Sequence, residues 1–405
     1  MNILFLSLLD FDSFEERSLY SDLLRSFIRR GHTVHCISPV EKRTRRQTQL
    51  IESGGNRILK LQIGDTQKVN IIRKGLSLLQ IEPLFIRAIQ KYFSDVRFDA
   101  VLYATPPVTF SKVIRFVKKR DGARSYLMLK DIFPQNAVDL GMMSLTGPKS
   151  VLYHYFRSKE KQLYALSDRI GCMSQANVDY LLRHNPEVPA EHVGLCPNSA
   201  EVQDLRLTDA QRVAMRAKYG IPADKKVIVY GGNLGRPQNI PFLVRALKEC
   251  AAQEDVYFVI AGSGTDRPLL EAYVEEERPS HVLLLGHLPK EEYDHMIACC
   301  DIGLILLDYR FTIPNFPSRL LSYMQAGLPV LACTDPNTDI GKTVAEGGFG
   351  WQCGSNDPAA FAALVARITG PDADMQEREL AYLRQHFSSD TVCATICRAL
   401  ADAEA

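Results

Sequence analysis

The sequence lacks a run of 18 apolar residues, the length that a helix needs to cross a membrane, so it predicts no membrane-spanning helix. None of its ten cysteines forms a Cys-x-x-Cys pair, and none has a histidine at metal-ligand spacing. This pattern argues against zinc sites and predicts small, buried thiols in a reducing cytosol. The lack of internal repeats and low-complexity tracts excludes solenoids and disordered tails.

The N-terminal segment carries a short apolar run, Ile3–Leu9, with no basic residue before it. Asp10 and Asp12 follow at once, which does not fit the flanks of a signal peptide. We therefore expect a buried first strand here.

The length and the charge distribution indicate two domains. A chain of 405 residues exceeds one typical domain, and two domains of similar size are the default expectation. Residues 1–199 contain 29 Lys and Arg against 19 Asp and Glu, whereas residues 200–405 contain 19 against 28. Unless this difference is chance drift, the basic half faces an anionic partner.

Short apolar runs alternate with amphipathic stretches, a pattern typical of parallel α/β units. The predicted strands are Ile3–Leu9, Thr33–Ser38, Asp99–Tyr103, Tyr126–Leu129, Arg169–Met173, Lys226–Tyr230, Val256–Ala261, His281–Leu285, Asp301–Leu307 and Pro329–Cys333. The predicted helices are Glu15–Arg30, Ser111–Arg120, Pro241–Cys250, Pro317–Ala326 and Ala359–Ile368.

These elements form two successive Rossmann-like units, with the boundary between Asn198 and about Pro222. Ligands of open parallel sheets bind beyond the carboxyl ends of the strands. The site is therefore expected in a cleft between the two domains.

Several segments together resemble a known family: RGHTVHCIS at 30–38, DIFPQ at 131–135, SQANVDYL at 174–181, CPNS at 196–199, GSGTDRPLL at 262–270, LGHLPKEE at 285–292 and PSRLLSYMQAGLPVLA at 317–332. In order and spacing they are similar to the retaining GT-B glycosyltransferases of the large family 4 type. The DIFPQ segment resembles a sub-branch of bacterial O-antigen and capsule amino-sugar transferases of the fucosamine-transferase kind.

The resemblance implies a GT-B fold, with two Rossmann-like domains facing across a deep cleft. Residues 1–199 would then be the acceptor-binding domain, and a C-terminal helix at about 385–405 would pack back on it. Residues 200–384 would bind the nucleotide-sugar donor.

A helix start at residues 317–319 is the main candidate for the diphosphate. Pro317 is tolerated at a first helical position. A helix start offers free N–H groups and the positive end of the helix dipole, which attract phosphate, and Pro317 and Ser318 stand at this start. Arg319 adds a guanidinium whose fork suits phosphate oxygens. The alternative is an ordinary surface helix with a solvated arginine.

Two glycine-containing loops follow the first two strands of the second half. Gly232 and Asn233 lie in the first, where a small residue lets the backbone approach a phosphate, and Arg236 is the basic residue nearest to it. The alternative is a plain tight turn. Gly262 and Gly264 lie in the second loop, which lacks the third glycine of a dinucleotide-binding fingerprint.

The remaining donor contacts are implied by the resemblance. His287 and Leu288 match the place where the family holds the nucleobase through backbone groups. Asn315 lies near the first of two glutamates that the family commonly has, and Ser322 occupies the position of the second, which bonds the ribose. Asn233 and Gln238 stand roughly where the family has Arg and Lys.

Asp131 follows a predicted strand at its carboxyl end, and by resemblance its loop lines the cleft near the reacting sugar. A carboxylate there orients or deprotonates an acceptor hydroxyl. The alternative is a turn or helix-cap aspartate.

The expected activity is that of a hexosyltransferase-type glycosyltransferase in surface polysaccharide biosynthesis. It would move an N-acetylated amino sugar or a deoxy sugar from a nucleoside diphosphate to a lipid-linked acceptor, polyprenyl-diphosphate-linked or another glycan, with retention. The donor is a substrate, and neither a cofactor nor a metal ion is expected. The alternatives are a nucleotide-sugar 2-epimerase of the same fold and a non-catalytic two-domain sugar-binding protein.

Two basic segments of the first half predict binding to an anionic membrane surface. Residues 41–47 contain four cations, and the second segment contributes Lys112, Arg115, Lys118, Lys119 and Arg120 among apolar residues. The alternatives are a solvated helix face and nucleic acid, and no nucleic-acid motif accompanies the charges. We expect a cytoplasmic enzyme held at the inner face of the cell membrane.

Overall fold

The computed structural model describes residues 1–65, 71–148 and 150–402. For residues 71–79 it describes the backbone alone. The chain divides into two compact units. The first unit contains Met1–Glu201 and the returning segment Ser389–Ala405, of which 403–405 lie outside the described residues. The second unit is Val202–Ser388.

The first unit is built on an eight-stranded sheet of order β3-β4-β2-β1-β5-β6-β7-β8. All neighbours pair in parallel except β3 with β4. The strands are β1 (Asn2–Leu6), β2 (Thr33–Glu41), β3 (Gln49–Ser53), β4 (Asn56–Ile63), β5 (Ala100–Ala104), β6 (Arg124–Leu129), β7 (Arg169–Cys172) and β8 (Val193–Leu195).

The β3–β4 hairpin was not predicted from the sequence. Its turn is Gly54-Gly55, where both residues have positive φ (55° and 86°), as the tight turns of hairpins require. Because β3 lies at the edge of the sheet and is half exposed, it lacks the continuous apolar run of the buried strands.

Helices of the first unit cover the sheet. They are α1 (Leu19–Arg29), α2 (Ile71–Tyr92), α3 (Ser111–Asp121), α4 (Gln135–Asp139), α5 (Ser150–Leu166) and α6 (Gln175–His184). Helix α1 begins four residues later than predicted because the Ser18 side chain caps it, accepting from the backbone N–H of Ser21 at 3.2 Å.

The second unit has a six-stranded, wholly parallel sheet of order β11-β10-β9-β12-β13-β14, the doubly wound order of Rossmann folds. The strands are β9 (Lys226–Asn233), β10 (Val256–Ser263), β11 (Val282–Leu285), β12 (Ile302–Leu306), β13 (Val330–Thr334) and β14 (Gly350–Gly354). The helices are α7 (Asp209–Tyr219), α8 (Ile240–Glu249), α9 (Arg267–Glu277), α10 (Lys290–Ala298), α11 (Arg319–Ala326), α12 (Ile340–Glu346), α13 (Pro358–Arg367) and α14 (Ala373–Tyr382).

The last helix, α15 (Ser389–Ala401), belongs to the first unit. Its Val392, Cys393 and Ile396 join the core that α1 forms with β1 and β5. Within the described ranges, no helix is long and apolar enough to cross a membrane. The same residues contain no group of three or more His, Cys, Asp and Glu placed to hold a metal ion.

Candidate active site

The second sheet changes direction between β9 and β12, which are neighbours although two strands separate them in the chain. The connections that leave these strands run to opposite sides, and ligands of such sheets bind at this switch point. The Gly232–Arg236 loop begins in the last two residues of β9, and the segment after β12 leads to α11. The fold thus brings the glycine loop and the α11 start to one place.

Glycines are required where β9 and β10 end. Gly232 (φ 126°) pairs in register with Gly262 (φ 151°), and a Cβ on Gly262 would lie 1.9 Å from the Gly232 carbonyl oxygen. A Cβ on Gly264 would lie 2.2 Å from the Leu234 carbonyl oxygen. The two loops therefore approach each other so closely that no side chain fits between them.

Arg319 is the first residue of α11, and its guanidinium lies over the ring of Tyr230 at 4.3 Å from the centroid. Its Nη2 is next to the glycine loop, 3.0 Å from where a Cβ of Gly232 would stand. Its Nη1 is shielded from solvent, yet has no hydrogen-bond partner among the described residues. Buried donors are nearly always paired, so this N–H is available to bind an anion.

Two further tyrosines accompany Arg319. Tyr323 donates to the carbonyl oxygens of Leu304 (3.0 Å) and Val229 (3.2 Å), whereas the Tyr293 hydroxyl is buried without a partner in the described chain. Burial raises the pKa of Tyr293 well above its usual range, so the hydroxyl keeps its proton and remains a donor.

Tyr293 was missed in the sequence analysis. The sequence feature that indicates its position is Gly231, because a Cβ on residue 231 would stand 2.1 Å from the Tyr293 ring. A glycine inside a buried strand indicates that a large group packs on it, but the sequence does not say which one.

Arg236 lies beside the loop but in a different environment. It opens a short 3₁₀ turn, Arg236–Gln238, its side chain is exposed, and it makes no ion pair with a described residue. Gln238 accepts a hydrogen bond from the Asn233 amide at 2.8 Å, which fixes the loop. Asn233 and Gln238 therefore hold the loop in shape, and Arg236 is left free to bind an anion.

The helix start differs from the prediction by two residues. Helix α11 begins at Arg319 with Ser318 at the N-cap position, so Pro317 precedes the helix and does not open it. The reason is local: the first turn is closed by the short-range bonds Leu320 N–H to Pro317 C=O and Leu321 N–H to Ser318 C=O.

The other predicted donor residues lie around this start. Ser322 is half-buried on α11, one turn after Arg319 and on the same face. Asn315 has a buried side-chain nitrogen without a partner among the described residues, while its carbonyl oxygen accepts from the Thr338 hydroxyl. Asn315 and Arg319 thus both carry unused buried donors.

His287 and Leu288 follow β11 in the loop that leads to α10. His287 is exposed and Leu288 is half-buried. Arg267, which the sequence analysis did not select, holds this region together by donating to the carbonyl oxygens of Gly262 (2.5 Å) and Leu285 (2.7 Å). It therefore joins the loops after β10 and β11.

Asp131 lies in the first unit, two residues after β6 ends. The Asn136 amide donates to both carboxylate oxygens, at 2.9 and 2.7 Å. Burial, together with the charge of Glu160, raises the pKa of Asp131 to about 6, although the Ile132 backbone N–H and Asn136 oppose the shift. A carboxylate with this pKa exchanges protons near neutral pH, which suits a general base.

A membrane-binding helix needs exposed apolar side chains, whereas the basic helix α3 buries most of its own. Val113, Ile114 and Val117 are fully buried in the core of the first unit. Lys118 binds Asp168 at 2.7 Å and Arg120 binds Asp121 at 2.7 Å, so only three of the five predicted cations are exposed: Lys112, Arg115 and Lys119. The helix thus presents charge and little apolar surface, which comes from the half-buried Phe116.

Two family models match the chain. Residues 18–203 match Glycosyltransferase Family 4, and residues 211–378 match Glycosyl transferases group 1. The chain is a glycosyltransferase. The enzyme class predicted from the sequence is therefore confirmed, and each unit of the glycosyltransferase carries one of the two domains.

Curated relatives agree with this class. The glycosyltransferase is 25% identical to the probable glycosyltransferase WbjE of Pseudomonas aeruginosa, over 75% of this chain and 74% of that protein. It is 23% identical to the putative colanic acid biosynthesis glycosyl transferase WcaI of Escherichia coli K12, over 67% of this chain and 65% of that protein.

Solved structures confirm the predicted GT-B fold. HepE of Anabaena, in complex with UDP, superposes with a TM-score of 0.69 at 15% identity, covering 99% of this chain and 100% of that one. WaaG, a glycosyltransferase involved in lipopolysaccharide biosynthesis, superposes with a TM-score of 0.64 at 13% identity, covering 98% of both chains.

Proposed function

We propose that this glycosyltransferase takes its sugar from a nucleoside diphosphate whose phosphates bind between Arg319 and the Gly232 loop. The observation that carries the proposal is the guanidinium of Arg319, which is shielded, lies against the loop and has an unused N–H. UDP is the favoured nucleotide, since HepE binds UDP and UDP-glucose in structures that share the fold.

The chemistry of such a donor suits this cation. Negative charge grows on the diphosphate as the bond to the sugar breaks, and a fixed cation in a site without water stabilises that charge more in the transition state than in the ground state. We propose that Arg236 adds a second positive charge, and that Ser322 and Asn315 bind the nucleotide, near Pro317 and Ser318. His287 and Leu288 are proposed to hold the base.

The remaining parts of the reaction are proposed from the family resemblance. The anomeric configuration is retained, Asp131 orients or deprotonates the acceptor hydroxyl, and neither a cofactor nor a metal ion takes part. The transferred sugar is an N-acetylated amino sugar or a deoxy sugar. The acceptor is a lipid-linked glycan of surface polysaccharide biosynthesis, which agrees with the assignment of WcaI to colanic acid biosynthesis.

We further propose a cytoplasmic enzyme bound to the inner face of the cell membrane. The basic balance of residues 1–199 supports this proposal, with 29 Lys and Arg against 19 Asp and Glu. The exposed cations Lys112, Arg115 and Lys119 contribute to the attraction.

A thermal-shift screen tests the donor proposal without an acceptor. UDP, GDP, dTDP and their sugars are compared, and a diphosphate at 100 times its Kd is expected to stabilise the protein by about 2.7 kcal/mol. UMP lacks the second phosphate and should stabilise it much less. If no nucleoside diphosphate shifts the transition, the donor proposal is wrong. Release of UDP without any acceptor would point instead to the epimerase.

Arg236→Ala is expected to lower kcat/KM by about 10–100-fold, the effect of one charge-assisted hydrogen bond to phosphate. The loss should shrink at high salt because the side chain is exposed. Steady-state kinetics at two ionic strengths measures both effects. Arg245→Ala removes an equally exposed cation of α8 and should leave the kinetics unchanged. Unchanged turnover in Arg236→Ala would remove Arg236 from the site.

Tyr293→Phe is expected to raise the donor KM by about 2–10-fold, since the hydroxyl is a donor with no partner until the diphosphate arrives. Its stability should not fall, because no existing hydrogen bond is lost. Tyr323→Phe is the matched control: it removes bonds to Val229 and Leu304, so it should lower the Tm and leave the KM near normal. The reverse pattern would contradict the role of Tyr293.

A further inference from the structure

The exposed apolar side chains of the protein concentrate in one segment. Eleven large apolar residues lie exposed in the described ranges, and five of them fall between residues 142 and 155. Val151 (73% exposed) and Met142 (61%) are the most exposed of all eleven. Clustered exposure of this kind marks an interaction surface, whereas single exposed apolar residues are ordinary.

Helix α5 explains how this surface is formed. Val151 and Leu152 are adjacent in its first turn, and Tyr155 lies one turn later on the same outer face. The inner face of the helix carries Leu163 and Tyr164, which are buried in the core of the first unit. Met142 and Leu145 are also exposed and lie in the loop before the helix.

The charged side chains within this segment have one sign. Residues 140–159 contain no Asp or Glu. The ammonium of Lys159 lies 5.8 Å above the Tyr155 ring, on the same outer face as the apolar side chains. The next acid, Glu160, is buried and paired with Arg157, so it does not reach the surface.

We propose that Met142, Leu145, Val151, Leu152, Tyr155 and Lys159 form the surface by which the enzyme binds an anionic lipid bilayer. We call it the α5 patch. This inference rests on the proposed function, in which the acceptor is carried by a lipid. Apolar side chains beside the ammonium of Lys159, in a segment without carboxylates, match the boundary between acyl chains and anionic headgroups. Helix α3 attracts the same membrane mainly by charge, because Val113, Ile114 and Val117 are in the core.

Flotation with vesicles at low salt tests the patch. The wild-type protein is expected to bind vesicles of phosphatidylglycerol and phosphatidylcholine, and to bind pure phosphatidylcholine vesicles less. The triple variant Val151→Ser, Leu152→Ser, Tyr155→Ser should bind the anionic vesicles about tenfold or more weakly. The control, Val213→Ser with Leu269→Ser, removes similarly exposed residues of the second unit and should bind as the wild type does.

A second control separates the patch from the basic helix. Lys112→Gln, Arg115→Gln, Lys119→Gln removes the exposed charge of α3 and should weaken binding less than the triple patch variant does. A larger loss in the α3 variant overturns the proposal. So does a patch variant that binds normally, or a wild type that ignores anionic vesicles.

The oligomeric state in solution tests whether a second copy of the chain, and not a lipid bilayer, covers the α5 patch. If the wild type forms a dimer that the patch substitutions abolish, and does not bind vesicles, the patch is an interface between two copies and the lipid proposal is wrong. Stabilisation by UDP is measured on every variant. It should be unchanged throughout, so that a failure of the donor proposal is seen separately from a failure of the patch.

Discussion

Arg319→Ala is expected to lower kcat/KM by about 10²–10³-fold, the usual effect of removing a preorganised donor from developing negative charge. Arg319→Lys should recover only part of the loss, because an ammonium keeps the charge but not the planar fork that binds two oxygens. The thermal shift produced by UDP should shrink in both variants. Steady-state kinetics and calorimetry with UDP measure these effects.

The stability of the Arg319 variants separates a binding role from a structural one. Arg319 has no carboxylate partner among the described residues, so its removal breaks no ion pair. Arg216 is the matched control, a buried arginine of the same unit that binds Asp301 at 2.6 Å and four backbone carbonyls. Arg216→Ala should lower the Tm strongly because it leaves Asp301 less well paired. If Arg319→Ala unfolds the protein in the same way, Arg319 is structural.

Asp131→Asn is expected to lower kcat by about 10²–10⁴-fold if the carboxylate accepts the acceptor proton. Its stability at pH 7 should be equal to or above that of the wild type. Burial raises the pKa of Asp131 to about 6 from an ordinary 3.8, so the folded state disfavours the charged form. Protonated Asp131 therefore stabilises the folded state fully below pH 3.8, and this stabilisation is lost as the pH rises through about 6.

The pH profile tests the same residue independently. Because the base must be ionised, kcat/KM should fall as the pH drops through about 6. Asn136→Ala removes the two hydrogen bonds that favour the ionised carboxylate, so the acid limb should move to higher pH. Asp139→Asn, a neighbouring carboxylate bonded to Gln135, should leave the limb in place. An active Asp131→Asn enzyme with an unchanged profile would exclude the catalytic role.

Asp372, Ala373 and Asp374 form an Asp-x-Asp sequence, which the fold places at the start of helix α14. Asp372 caps helix α14, accepting from the backbone N–H of Met375 at 2.7 Å. A sequence motif of two aspartates thus serves here to start a helix.

Some features of this protein follow from the sequence alone. The alternation of apolar runs and amphipathic stretches determined the two α/β units, because burial on both faces of a parallel sheet requires such runs. Arg319 was selected because it follows Pro317 and Ser318 where a helix begins. Asp131 was selected because it directly follows a strand. These are local patterns, and local sequence encodes them.

Only the tertiary structure decided which charged and apolar groups remain available to bind a ligand or a surface. Lys118 and Arg120 form ion pairs with Asp168 and Asp121. Arg319, in contrast, keeps an N–H without a hydrogen-bond partner among the described residues, beside Tyr293. No local sequence pattern distinguishes the paired cations from the unpaired one. Periodicity likewise predicts helix α3 but not what covers its apolar residues, and helix α5 was not predicted from the sequence. The α3 face is buried in the core, while the start of α5 leaves Val151 and its neighbours outside, because long-range packing decides which faces are covered.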